Sequence, residues 1–584
     1  MLGTAIVLSA GISDLKGEYR NGQVFLRWQE SELNPKTRLT VWSSSEPITA
    51  ENVTKATEIA SYLNLNSAVD WWLDADSFFT KRSKKAKSEE IFAGNVAEGK
   101  QQKKLVRGFV ITDGGSPIAA KGGLHVHTPK ASLEGKRYYA VTAHDGFTEK
   151  ITGFTTTKTS IQVGKGKANP IRLNGKLTKN SAKGLPIIIR LHGRGGGSGV
   201  SKNGRAIGSH IIFSDDTFAW REGIPFKFTA AIQNKALVLI LNDRIWTGRK
   251  LSRQESWDSR DRVPAIATFW LGYNTNIAKS NKGPKFQWDN YTERMIIYIA
   301  RWAQDYLGGD KNRTYITGGS MGGSGTVQMV THFPGFFAAG RAMVPVYSYT
   351  WKRTLKFNPS MMRMQCSIGL FTPENPAVMP DGTKLEDYGN GAKNIAKPEI
   401  DMPPLLATNG RMDGSIPWAN NPPFYKAAND ARQMFSVFWN NGPHGMSKDT
   451  PAGFITEADM LRYKLNESFP AFSNSSDNRN YGNGDNKDGD IVGWINRGFD
   501  WKDIVDSKEH YEITLSVNYP GIKYPVTSDV TIRRRQNFKF APGTRLKVSV
   551  NGKNSVVTID KNGLLTIEKI VFADKQPVKL VICK

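Results

Sequence analysis

Ser320 sits among glycines in "TYITGGSMGGSGT", residues 314–326, and the tight pattern Gly318-Gly319-Ser320-Met321-Gly322 is a G-x-S-x-G. It follows directly on a β-type run. Two kinds of chemistry, or none, could explain it. A phosphate-cradling loop of the G-x-x-x-x-G-K-[ST] kind needs a lysine after the glycines, and none follows here. A plain glycine turn demands nothing else of the chain. A strand-to-helix turn that lifts a serine hydroxyl into a cleft demands three further features in set order: an upstream oxyanion donor, then, after the serine, an acid and a histidine.

The acid is Asp413. "PPLLATNGRMDGSIPW" is a strand followed at once by a loop that carries it, whereas Asp401 precedes the strand and Asp430 lies in the helical stretch "FYKAANDARQ". Of eight histidines only His444 and His510 follow Asp413, and His510 falls in a C-terminal β segment. His444, in "FWNNGPHGMS", comes just after the next strand. Upstream, "IIIRLHGRGGGSG" supplies a glycine-rich loop after an early strand, with His192 as a loop-orienting residue rather than a base. The backbone N–H groups of Met321 and Arg194 are the expected oxyanion donors. Ser320 would attack a carbonyl, His444 would move the proton, and Asp413 would hold the imidazole in one tautomer.

The elements needed to position these residues are legible between 161 and 465. "LPIIIRLHG", "ALVLILND", "RTYITGG", "AMVPVY", "PPLLATNG" and "MFSVFWN" are short runs suited to strands buried on both faces. Helical patterns separate them, most clearly residues 289–309, where Asp289 is a candidate cap, Met295, Ile299 and Trp302 form one stripe, and Gly308-Gly309 end it. The expected fold is α/β, a doubly wound, mostly parallel sheet with functional residues at the carboxyl ends of strands.

β-type segments flank this unit. Residues 1–160 alternate in strand fashion around Trp28 and "RYYAVTA", with an insertion over 50–120; His125 and His127 read as alternating strand residues rather than metal ligands. Residues 466–503 are polar and turn-rich and read as a linker. Asp485, Asp488 and Asp490 with Gly489 partly match a calcium loop, but the terminal Glu of an EF-hand is missing and an asparagine-rich surface loop is the competing reading. Residues 504–584 read as a small all-β accessory domain.

About 300 residues resemble the α/β-hydrolase superfamily. "LPIIIRLHGRGG" and "YITGGSMGGSGT" are most similar to the extracellular feruloyl esterase and polyhydroxybutyrate depolymerase group, and more distantly to prolyl oligopeptidase-like enzymes; the N-terminal region resembles a fibronectin type III-like sandwich. The resemblance implies a serine esterase that needs no cofactor. The competing functions are a prolyl oligopeptidase-like serine peptidase, and a non-catalytic polysaccharide-binding protein on the same fold. Arg194 departs from related loops, where a small or apolar residue is common, and could meet an acidic substrate.

Substrate contacts are expected from aromatic residues near the site: Trp246, Trp257, Trp270 and Tyr273 in the 244–288 insertion, Tyr347 after a strand, and Trp418 past Asp413. The expected partner is a polymer-linked ester. The formal charge of +26 comes from dispersed Lys and Arg, densest at 81–88, 100–107 and 533–535, without a nucleic-acid-binding motif, so a solvated basic surface is the expectation. No run of about 18 apolar residues offers a membrane span. "MLGTAIVLSAG" could be the end of a processed signal peptide, which favours a secreted, periplasmic or cell-surface protein. Two cysteines make no disulfide framework.

Overall fold

A computed structural model describes residues 11–68, 122–164, 171–194, 205–209, 225–246, 265–274, 288–350, 364–444 and 456–584, with interruptions of one to three residues inside some of these spans. The centre is a ten-stranded sheet. Its strands in chain order are β1 (Ile171–Asn174), β2 (Ile187–Leu191), β3 (Arg205–Ser209), β4 (Pro225–Gln233), β5 (Ala236–Leu241), β6 (Thr314–Gly319), β7 (Ala339–Met343), β8 (Leu405–Gly410), β9 (Phe435–Asn440) and β10 (Gly493–Ile495). Across the sheet they run β10-β9-β8-β7-β6-β2-β5-β4-β3-β1. The six from β9 to β5 are parallel. Antiparallel strands close both edges.

Strand alternation assigns the two faces. Ile187 and Ile189 of β2, Leu237 and Leu239 of β5, Ile316 of β6 and Leu405 of β8 pack with three helices: α1 (Tyr291–Asp305), α2 (Met321–His332) and α3 (Pro422–Asp430). The intervening residues Ile188, Val238, Tyr315 and Leu406 face the other way, into a second core shared with the C-terminal β unit. Among the described residues this face is therefore covered mainly by strands, where the sequence led us to expect helices on both sides. The period-two pattern fixes that both faces are buried but not by what.

The predicted strands lie within their sequence runs, with one exception. β7 begins at Ala339 and stops at Met343, because Val344 turns to φ 43°. Helix α1 starts after Asn290, so Asp289 is not its cap. The Asp289 carboxylate instead accepts the Asn290 N–H and pairs with Arg294 at 3.0 Å.

The N-terminal unit is two facing sheets. Ile12–Arg20, Gln23–Glu30 and Gly123–His127 make one; Thr57–Leu63, Arg38–Ser44, Gly135–His144 and Ile151–Thr156, in that spatial order, make the other, with Ile161–Val163 also paired to Gly135–His144. Trp28, Leu26, Val41, Tyr139 and Val141 fill the space between. His125 and His127 pair with Leu26 and Val24 and are buried with them; burial pulls both imidazoles down to about 3.

Residues 466–503 do not form a linker. Phe469–Ser473 is a strand of the C-terminal unit, Gly493–Ile495 is edge strand β10, and Phe499–Asp506 pairs with His510–Val517. The basic run at 533–535 is not a solvated patch. Arg533 is 1% exposed and donates to the carbonyls of Pro398, Ala431 and Arg432, while Arg534 donates to those of Ala338 and Lys464. These arginines fasten the C-terminal unit to the sheet, and Asp401 balances them through Arg533 Nη1 and the Arg534 N–H. The other two basic runs, at 81–88 and 100–107, lie outside the described residues.

Candidate active site

β6 passes into α2 through one residue, Ser320, at φ 57° and ψ −121°. A side-chain-bearing residue with positive φ stores strain that surrounding structure must hold. The Ser320 N–H donates to Met343 O at 2.8 Å, and its carbonyl accepts from Ser324 N at 2.9 Å. The flanking glycines are required by space. A Cβ on Gly322 would lie 2.1 Å from Leu191 O, and one on Gly318 would lie 2.4 Å from the Gly322 carbonyl. The turn is thus pressed against the end of β2.

Asp413 follows β8 and His444 follows β9, so both reach the same carboxyl end of the parallel strands as Ser320. His444 Nε2 lies 2.8 Å from Ser320 Oγ, and its Nδ1 lies 2.7 Å from Asp413 Oδ2. A carboxylate beside Nδ1 places the proton there and leaves Nε2 to accept from the serine hydroxyl. The other carboxylate oxygen, Oδ1, accepts from Ser415 N at 2.7 Å and Ile416 N at 2.9 Å. The Asp413 side chain is 2% exposed and that of His444 is 32% exposed, so the acid is enclosed while the imidazole borders solvent. The two loops are tied together by Arg411 N–H to Asn440 O and Met412 N–H to Gly442 O.

The loop after β2 lies beside this group: a Cβ built on Gly193 would be 3.6 Å from Ser320 Cβ. His192 Nε2 accepts from the Asp243 backbone N–H at 3.0 Å, so its proton sits on Nδ1 and is donated to Gly193 O at 2.8 Å. In a trans peptide the N–H points opposite to the C=O. The Arg194 N–H is therefore turned away from the His192 ring. The Arg194 side chain is half-buried. Gly195–Gly197 lie outside the described residues.

The aromatic residues expected at the substrate are mostly elsewhere. Trp270, Tyr273 and Tyr347 are fully buried and Trp418 is 2% exposed. Tyr347 and Tyr425 donate to Asn409 Oδ1, and Trp418 Nε1 donates to Tyr481 O. Trp270 Nε1 donates to His192 O at 3.0 Å. Trp270 in turn is held by the Asp243 carboxylate, which accepts from the N–H groups of Thr268, Phe269 and Trp270 and from the Thr268 hydroxyl. Burial pushes that carboxyl up to about 7 against these donors. Trp246 lies in a short ribbon pairing Arg244–Trp246 with Ala265–Ala267, and Trp257 lies outside the described residues.

The acidic loop does not gather its three aspartates into a ligand cluster. Asp485, Asp488 and Asp490 accept N–H bonds from Lys487, Asn483 and Asn480 of their own loop. Among the described residues no group of three or more His, Cys, Asp or Glu could hold a metal ion. A cation does sit against this loop, but it is the guanidinium of Arg411, bonded to three of the loop's carbonyls. Sequence reasoning missed Arg411. Its only signal was a charged residue between a buried strand and the acid.

The model of the prolyl oligopeptidase family matches residues 282–467. That segment carries Ser320, Asp413 and His444. The match covers less than half of the chain, and it gives what this segment is similar to. No curated protein matches the chain. Solved structures similar to it include an S-formylglutathione hydrolase from Agrobacterium tumefaciens (11% identity, 53% of this chain and 89% of that one, TM-score 0.29). Others are dipeptidyl peptidase 4 of Porphyromonas gingivalis (14%, 53% and 39%, TM-score 0.28) and Thermogutta terrifontis esterase 2 phosphonylated by sarin (13%, 50% and 86%, TM-score 0.27). The chain spans 39% of that peptidase and 40% of a dipeptidyl aminopeptidase IV-type structure from Bacteroides ovatus. None of these likenesses carries an argument about substrate. No described helix is long and apolar enough to cross a membrane.

Proposed function

We propose that the protein is a serine hydrolase acting through an acyl-enzyme, with Ser320 as nucleophile, His444 as general base and then acid, and Asp413 as its orienting carboxylate. The continuous path Ser320 Oγ to His444 Nε2 to Asp413, at 2.8 and 2.7 Å, carries this reading. The serine attacks a carbonyl carbon as His444 takes its proton. The imidazolium then protonates the leaving group, and water attacks the acyl-enzyme with His444 again as base. The backbone N–H groups of Met321 and Arg194 are the proposed oxyanion donors. Support comes from the position of Met321 at the start of α2 and from the pinned Gly193 carbonyl; one such donor contributes about 3 kcal/mol to lowering the barrier.

For substrate we favour a carboxylic ester carried on a polymer, a feruloylated or acetylated polysaccharide or a polyester. The two β units flanking the hydrolase sheet support this by analogy with enzymes of polymeric substrates. The two facing sheets of the N-terminal unit, three strands against five, support a β-sandwich of the fibronectin type III-like kind. A serine peptidase is the second reading, favoured by the family match over 282–467. Assays on p-nitrophenyl esters and peptide p-nitroanilides, with Ser320→Ala as the blank, separate the two. Ester turnover without anilide turnover is expected, and preference for the anilide would make the enzyme a peptidase.

A further inference from the structure

Arg411 stands two residues before Asp413 and is 2% exposed. Its Nη1 donates to Asp490 O at 2.6 Å, and its Nη2 donates to Asn486 O at 2.6 Å and Asp488 O at 2.7 Å. The guanidinium also lies 5.2 Å from the centre of the Trp418 ring. A buried cation is costly unless its N–H groups are matched, and here one loop matches the two terminal nitrogens while Nε–H is left unbonded. That loop is anchored in turn to the strand ahead of His444, because Trp439 Nε1 donates to Asp490 O at 2.9 Å. On its other side the Arg411 backbone N–H bonds Asn440 O, the last residue of the strand that leads to His444. Arg411 thus joins the acid loop to that strand and to residues 486–490.

We propose that Arg411 and the carbonyls of Asn486, Asp488 and Asp490 form a clamp that holds Asp413 and His444 in register with Ser320. Arg411 is a positioning residue: it touches neither the reacting atoms nor the Asp413 carboxylate. The proposal rests on the serine-hydrolase reading above. The chemistry selects arginine, since a planar fork reaches carbonyls at two nitrogens at once and a lysine ammonium is a point charge. Misplacing a catalytic group by a fraction of an ångström slows the chemical step while leaving substrate binding largely alone.

The test measures the rate at which a fluorophosphonate labels Ser320 in the full chain, alongside kcat and KM on p-nitrophenyl acetate. Labelling needs the serine and its base but no particular substrate. Arg411→Ala should label and turn over roughly tenfold more slowly or worse, with KM within about twofold, and methylguanidinium should restore several-fold activity to it but not to wild type. Arg411→Lys should fall between. Gly489→Ala distorts the same loop from a distance, because φ is +82° and its Cβ would lie 2.5 Å from Gly482 N. It should repeat the loss without rescue, and it decides the matter if Arg411→Ala does not fold. Wild-type labelling rates in these variants, a loss confined to KM, or a loss in Arg411→Ala that methylguanidinium leaves untouched would overturn the clamp. Failure of the wild-type chain to label would instead strike the serine-hydrolase reading.

Discussion

The indole Nε1–H of Trp270 donates to the main-chain carbonyl of His192 at 3.0 Å, and the Trp270 ring lies edge-on to the His192 ring at 4.9 Å. An aromatic residue that the sequence offers as a substrate platform is thus a brace for the loop beside the nucleophile. Trp270→Phe keeps much of the ring and removes the bond. It should lower kcat about five- to tenfold, the equivalent of one hydrogen bond, with little change in KM. A rise in KM with kcat intact would return Trp270 to the substrate.

This contrast marks what the sequence could and could not tell. Ser320, Asp413 and His444 were legible because the parallel sheet ties chemistry to strand ends in a fixed order. The buried aromatics were not, since an indole contributes the same apolar surface and N–H to a core as to a cleft. The covering of the back face was hidden for a similar reason: Ile188, Val238 and Leu406 are as apolar under strands as under helices. Arg533, Arg534 and Arg411 look like surface charge in the sequence, and only backbone carbonyls far along the chain explain their burial. The polar composition of 466–503 reads as loop even where its strands join three sheets.

The C-terminal unit should be indispensable for a soluble catalytic unit. A fragment ending before Phe469 would uncover Ile188, Val238, Tyr315 and Leu406 and leave the carbonyls of Ala431 and Ala338 without their arginine donors. We expect it to aggregate or to bind a hydrophobic dye strongly. A soluble, active, cooperatively melting fragment would show that the second core is dispensable.

The N-terminal unit should lose stability in acid. His125 and His127 are held neutral, with folded values near 3 against ordinary values of 6.5, so between those limits the unfolded chain binds more protons. Stability then falls as pH drops below about 6.5, by up to about 1.4 kcal/mol per pH unit for each histidine. Glu30 opposes this. Burial raises it from 4.5 to about 7, which favours the folded form as pH falls from 7 to 4.5. Two histidines against one glutamate leave a net loss that is steepest below about pH 4.5. Hydrogen-exchange protection of Gly123–His127 should fall on acidification, and His125→Leu with His127→Phe should flatten the decline. Protection that rises in acid would contradict the burial of neutral histidines.

Asp413 and His444 should act as one unit. Asp413→Asn alone should cost about 10³–10⁴ in kcat, and His444→Ala somewhat more. The double variant should lose little beyond the worse single one. Multiplied losses in the double variant would mean that the two side chains serve separate steps.

The central claim is that Ser320 is the nucleophile, activated by His444. Peptide mapping of the intact protein after treatment with a fluorophosphonate tests it most directly. The account predicts one adduct, on Ser320, abolished by Ser320→Ala and greatly slowed by His444→Ala. An adduct on another serine, or undiminished labelling of Ser320→Ala, would contradict it.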